Sequence, residues 1–116
     1  MRKRIQEIVV LVTAPSQKEA VRIGKAVVNA QLAACVNIVP GIRSLFRWEG
    51  AVSDESEVLM VLKSRADLFS ELARTVKALH RYQVPEVIAL PIVHGTPDYL
   101  AWIRQSTRKS LKRKNI

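Results

Sequence analysis

The stretch from Ala34 to Lys63, ACVNIVPGIRSLFRWEGAVSDESEVLMVLK, constrains the fold of this chain more than any other. It reads as two extended arms folded back at Glu49-Gly50, with a kink at Pro40-Gly41. Ser44, Phe46 and Trp48 fall on one face of the first arm and Arg43, Leu45 and Arg47 on the other, the period-two alternation of a half-buried strand. The return arm, Val58 to Leu62, is apolar on both faces, as a strand covered on both sides is. At about 3.4 Å per residue the first arm reaches roughly 50 Å. A compact domain of this length has a radius of gyration near ~13 Å and a diameter of roughly 35 Å. The tip is therefore expected to project, exposing Leu45, Phe46 and Trp48 unless another chain covers them. The expectation is an obligate oligomer.

The chain has 116 residues, enough for one domain with a modest core. No apolar run is long enough to span a bilayer, and Met1-Arg2-Lys3-Arg4 is not followed by the apolar core of a signal peptide. The expected compartment is the cytoplasm, with no membrane partner. Cys35 is the only cysteine, so no intrachain disulfide forms. The net charge of +9 invites a nucleic-acid reading, but its location weakens it. Arg2, Lys3 and Arg4, with Arg108, Lys109, Lys112, Arg113 and Lys114, supply eight of the nine net charges. The body between them is nearly neutral. The ends, about 1–4 and 108–116, read as solvated basic tails of a single domain spanning 1–116, and no specific nucleic-acid partner is expected.

Taken in order, Ile5 to Val12 reads as a buried first strand ended by Thr13-Ala14-Pro15. Ser16-Gln17-Lys18-Glu19 has the form of a capping box, with Ser16 as cap and Glu19 reaching back. Ala20, Ile23, Gly24 and Val27 follow at helical spacing to a helix end near Gln31, and Gly24 suggests a close approach to the sheet. After the hairpin, Ser64-Arg65-Ala66-Asp67 opens a second helix whose stripe is Leu68, Leu72, Val76 and Leu79. His80 to Gln83 is a loop, and Glu86 to Val93 the last strand, at a sheet edge because Pro91 lacks a ladder donor. Thr96 caps a third helix with Pro97 at its first position, packed down by Tyr99, Leu100, Trp102 and Ile103. Two right-handed crossovers joined by a hairpin give an α+β, ferredoxin-like βαββαβ sandwich with a long projecting hairpin and an extra C-terminal helix.

No glycine-rich phosphate loop, paired cysteines, zinc-binding helix or nucleophile elbow is present, and no nucleophile stands beside a base, so an enzyme is not expected. The polar residues that stand out are Glu49 beside Trp48, and His80, Tyr82 and Glu86 around Pro85. Each has a structural role open to it. Cys35 sits in an apolar strand as core packing, Trp48 and Trp102 suit interfaces, and His80 suits a helix C-terminus. Glu86 can cap backbone donors or pair with Arg81 or Lys63.

Four separated motifs carry a resemblance over Ile8 to Thr107. They are Leu32-Ala33-Ala34-Cys35-Val36-Asn37, Phe46-x-Trp48-Glu49-Gly50, Leu79-His80-x-Tyr82-x-Val84-Pro85-Glu86 and Tyr99-Leu100-x-Trp102-Ile103. Together they resemble the CutA divalent-cation tolerance proteins, which are similar in architecture to the nitrogen-regulatory PII proteins. The resemblance implies a PII-like homotrimer in which the hairpin packs on neighbouring subunits, with Trp48, Glu49, Lys63, Tyr82 and Trp102 at an interface or cleft. It further implies copper or zinc as a weakly held divalent ion, with His80 and Glu86 as donors, or a small-molecule ligand in its place. Two departures bear on the metal. Arg81 replaces the proline usual after the histidine, and Val12 and Leu79 stand where a cysteine and a second histidine have been proposed as ligands. The alternative is a PII-like signalling module that acts through a partner protein. An RNA-binding sheet is disfavoured, because Ile8 to Val12 and Val58 to Leu62 carry no stacking aromatics.

Overall fold

A computed structural model describes residues 5–109 of the chain. The elements run β1 (Glu7–Ala14), α1 (Gln17–Asn29), β2 (Cys35–Trp48), β3 (Ala51–Arg65), a 3-10 turn (Ala66–Leu68), α2 (Phe69–Leu79), β4 (Val87–Pro91) and α3 (Pro97–Gln105). The four strands form one antiparallel sheet in the order β2-β3-β1-β4. Helices α1 and α2 cover one face. There Val10, Val12, Met60 and Leu62 of the central strands meet Ala20, Ile23 and Val27 of α1 and Leu72 and Val76 of α2, all fully buried.

The hairpin turns as its sequence suggests. Glu49 and Gly50 both take positive φ, 50° and 81°, the two-residue turn that matches the twist of antiparallel strands. At the kink, Val39 opposes Leu59 but Ile42 opposes Glu57, so β2 carries one extra residue at Pro40-Gly41. Gly41 sits at φ +80° with open space where a side chain would be. Such a bulge shifts the side-chain parity of everything beyond it. Before it, Cys35, Asn37 and Val39 share the face away from α1 and α2; beyond it, Ile42, Ser44, Phe46 and Trp48 do. The bulge therefore keeps the two aromatics on the side already occupied by Val39, Leu59 and Val61.

That second face is left largely uncovered. Helix α3 lies across only the end that carries Glu7, Cys35 and Arg65, where Arg104 Nη1 donates to Glu7 Oε2 at 2.6 Å and Arg65 Nη2 to the Arg108 carbonyl at 2.7 Å. Beyond α3 the face presents Leu11, Leu59 and Val61, half-buried, with Ile88 and Leu90 of the β4 edge about half exposed. The hairpin tip extends it, so the chain measures 50 × 33 × 25 Å with a radius of gyration of 15.2 Å, above the ~13 Å of a compact domain this size.

Several expectations are corrected. Ser16 does cap α1, accepting from Glu19 N at 3.2 Å, but Glu19 does not close the box; its carboxylate accepts from Arg81 N at 2.8 Å. Ser64 caps nothing, because β3 runs on through Arg65 and the Ser64 hydroxyl donates to the buried Leu32 carbonyl at 2.6 Å. A Cβ on Gly24 would meet Val36 Cγ1 at 3.5 Å, ordinary contact, so no close approach requires glycine there. Cys35 is only half-buried, on the face opposite the core, with its thiol 3.8 Å from the Tyr99 hydroxyl. Thr96 precedes Pro97 as expected but makes no side-chain cap, and of the residues thought to pin α3 only Ile103 is buried. Arg108 belongs to the folded body rather than to a tail: its guanidinium donates to Glu71 at 2.6 Å and its N–H to the Gln31 carbonyl at 2.9 Å. Residues 1–4 and the tail beyond Lys109 lie outside the described residues.

Candidate functional site

The densest polar cluster forms where α2 ends and the chain passes the end of β1. His80 terminates α2 with its side chain fully buried. Its Nε2 lies 2.7 Å from the Thr13 carbonyl, and its Nδ1 accepts from the Tyr82 backbone N–H at 3.0 Å. A ring nitrogen that accepts carries no proton, so the proton sits on Nε2 and is donated to Thr13. Glu19 Oε2 comes within 3.5 Å of Nδ1, but its short bond is the one from Arg81 N. Both ring nitrogens are thus occupied by backbone partners.

The next residue outward is Tyr82, whose ring centroid lies 5.0 Å from that of His80. Its hydroxyl donates to Glu57 Oε2 at 2.7 Å, and Glu57 is buried at the root of the hairpin. Burial, then the bond to Glu57, then the charges of Glu57, Glu55 and Glu19 push the Tyr82 hydroxyl up to about 12. The cluster binds four elements together: β1 through Thr13, α1 through Glu19, the end of α2 through His80, and β3 through Glu57. Glu57 and Glu19 were not singled out from the sequence. Glu57 had a signal, a lone carboxylate directly before the apolar arm Val58 to Leu62; Glu19 looked like half of a capping box.

His80 and Glu86 do not compose a metal site in this arrangement. The imidazole would have to give up Thr13 or Tyr82 to coordinate, while Glu86 is exposed with no bond to His80 among the described residues. Nor do any three of the described His, Cys, Asp and Glu residues cluster as metal ligands do. Lys63 bonds to Asn37 Oδ1 rather than to Glu86.

The residues expected at an interface are spread along the molecule. Trp48 and Glu49 stand at the hairpin tip, Tyr82 near its root, and Lys63 opposite Cys35, with Trp102 on α3. The twelve residue steps of β3 from Ala51 to Lys63 put about 40 Å between tip and base. Trp48 and Trp102 are each about 40% exposed, and Trp102 packs at a 40° tilt against Tyr99 with 5.4 Å between ring centroids. A single chain brings none of the tip residues to the base residues.

The combination of this fold, hairpin and cluster has close counterparts. The family described as CutA1 divalent ion tolerance protein matches residues 8–106. A divalent-cation tolerance protein CutA from Thermus thermophilus is 50% identical over 101 residues, covering 87% of this chain and 98% of its own. A chloroplastic CutA protein of Arabidopsis thaliana is 48% identical over 91% of this chain, which spans 58% of that longer protein. Among solved structures, the Thermus thermophilus protein superposes with a TM-score of 0.86 and CutA1 from Oryza sativa with 0.88 at 48% identity, covering 88% and 91% of this chain. They cover 99% and 97% of their own chains. No described helix is long and apolar enough to cross a membrane. The chain belongs to the CutA1 divalent ion tolerance family.

Proposed function

We propose that this protein works as a cytoplasmic, non-catalytic homotrimer of the ferredoxin-like, PII-like type, taking a divalent ion such as copper or zinc weakly, or a small ligand, in a cleft between subunits. The observation that carries this reading is the uncovered second face of the sheet. It continues without a change of side from Val61 and Leu59 through Ile42 to Phe46 and Trp48, because of the bulge at Pro40-Gly41. Apolar side chains spread over that length of a lone chain, with Ser44, Ser53, Glu55 and Glu57 between them on the same face, invite association, and an isolated two-stranded arm is marginal in water without something to pack on. Three copies arranged in a ring let each hairpin reach a neighbour's base, so that Trp48 and Glu49 of one meet Lys63 and Trp102 of the next. The divalent-ion half of the reading draws on family membership, since His80 is committed to the backbone. It therefore looks to donors that only the assembly brings together, Glu49 and Glu86 among them.

Native mass spectrometry of untagged protein from its source tests both halves together. The expected spectrum is a trimer with an ion or metabolite retained at substoichiometric or full occupancy. A second reading, a PII-like sensor acting through a partner protein, is favoured if an organic metabolite rather than an ion is retained. A bare monomer would refute the assembly, and a bare trimer that takes up neither copper nor zinc in a calorimetric titration would refute the ion.

A further inference from the structure

We propose that the outer face of the α1–α2 layer is a sequence-independent docking surface for the phosphate backbone of duplex nucleic acid. The near-neutral body suggested by counting charges conceals a separation of sign. On α1 the exposed stripe is Lys18, Arg22 and Lys25, at i, i+4, i+7; on α2 it is Arg74 and Lys77, at i, i+3, with Arg81 following just past the helix end. No carboxylate is exposed on either helix. Glu19 is buried, and Glu71 is held by Arg108 at 2.6 Å. The body's exposed carboxylates, such as Glu49, Asp54, Glu55, Glu86 and Asp98, lie on the hairpin, in a loop and on α3 instead.

The two stripes form one patch because the helices pack side by side and antiparallel. Arg22 Nη2 donates to the Leu79 carbonyl at 2.8 Å and Glu19 accepts from Arg81 N, which sets the start of α1 against the end of α2. Seven residues of helix rise about 10 Å and packed helices stand about 8–10 Å apart. Arg22 is tied to α2, while Lys18, Lys25, Arg74, Lys77 and Arg81 have no ion pair among the described residues. A merely solvated face mixes signs; one that repels itself is held ready for a polyanion. Duplex is preferred to single strand because stacking needs exposed aromatics, and neither helix presents one. The surface lies opposite the proposed subunit interface and does not depend on it.

The test is a salt titration of the full-length chain on a fluorescent mixed-sequence duplex by anisotropy. It compares wild type, a face variant (Lys18→Gln, Lys25→Gln, Arg74→Gln, Lys77→Gln) and a tail variant (Lys109→Gln, Lys112→Gln, Arg113→Gln, Lys114→Gln). Each lost phosphate contact makes the slope of log affinity against log salt shallower by about 0.9. The face variant, with helicity unchanged by circular dichroism, is expected to lose roughly 3 from that slope and more than about tenfold in affinity near 0.1 M salt. Equal losses in both variants would mean that net charge alone is felt, and would overturn the proposal. So would an unchanged face variant, absence of duplex binding by wild type, or capture by phosphatidylserine vesicles with none by duplex.

Discussion

Tyr82 is where a single side chain has the most far-reaching attachment. Its hydroxyl bridges to the buried Glu57, and burial with that neighbouring charge raises its pKa to about 12 against an ordinary value near 10. A group whose pKa is higher folded than unfolded contributes stability in full below the unfolded value and loses it as pH climbs through the folded one. Replacing Tyr82 with Phe should cost about 1 kcal/mol near neutral pH. The gap in thermal midpoint between the two proteins should hold steady to about pH 10 and shrink between about 10 and 12. A gap that stays constant through this alkaline range would contradict the assignment. At His80, substitution by Ala strands the Thr13 carbonyl and the Tyr82 N–H, a loss of about 2–4 kcal/mol in chemical denaturation. The same variant should bind zinc as wild type does in calorimetry; a selective loss of zinc affinity would restore the imidazole as a ligand. Nothing in the local sequence revealed these partners, because Tyr82 and Glu57 are 25 positions apart and His80 and Thr13 are 67. The histidine's fitness for a helix end was legible; the atoms it would bond were not.

Among the elements, the hairpin was the most legible and the start of the second helix the least. Alternating side chains and Glu49-Gly50 located both strands and the turn, since both signals are local. The second helix begins later than the cap-like Ser64 implies, because the sheet holds that serine as a strand residue bonded to Leu32. Gly24 likewise suggested a constraint that the packing does not impose. Gly24→Ala should therefore raise stability by about 0.5–1 kcal/mol, measured by chemical denaturation. A destabilised variant would show that Val36 cannot accommodate the methyl group. The bulge makes a different kind of prediction. Deleting Gly41 removes the extra residue yet leaves Ile42 opposite Glu57, Phe46 opposite Ser53 and Trp48 opposite Ala51, on the face they already share, so the chain should retain both its helices and its assembly in sedimentation. Loss of assembly would show that the bend at Pro40-Gly41, and not the side alone, aligns the arm.

The whole molecule is read best from what it leaves uncovered. Sequence alone pointed to an arm too long for its domain, and the structure adds the face to which that arm belongs. Charge was less legible at this scale, because a sum over the body does not show that carboxylates are buried, paired or placed on the hairpin while six of the body's eleven cations line α1, α2 and the end of α2. The folded body also runs further than the basic run at 108–116 implies, since Arg108 anchors Glu71 and Gln31. A chain lacking residues 1–4 and 109–116 should keep its thermal midpoint and oligomeric state, whereas loss of Arg108 as well should lower the midpoint. The central claim is that the open sheet face and the hairpin are covered by copies of this chain. Light scattering coupled to size exclusion at low micromolar concentration measures this directly. The expected result is a single species of three times the 13.0 kDa chain mass, weakened toward monomer by Trp48→Ala. A folded 13.0 kDa monomer at that concentration would contradict it.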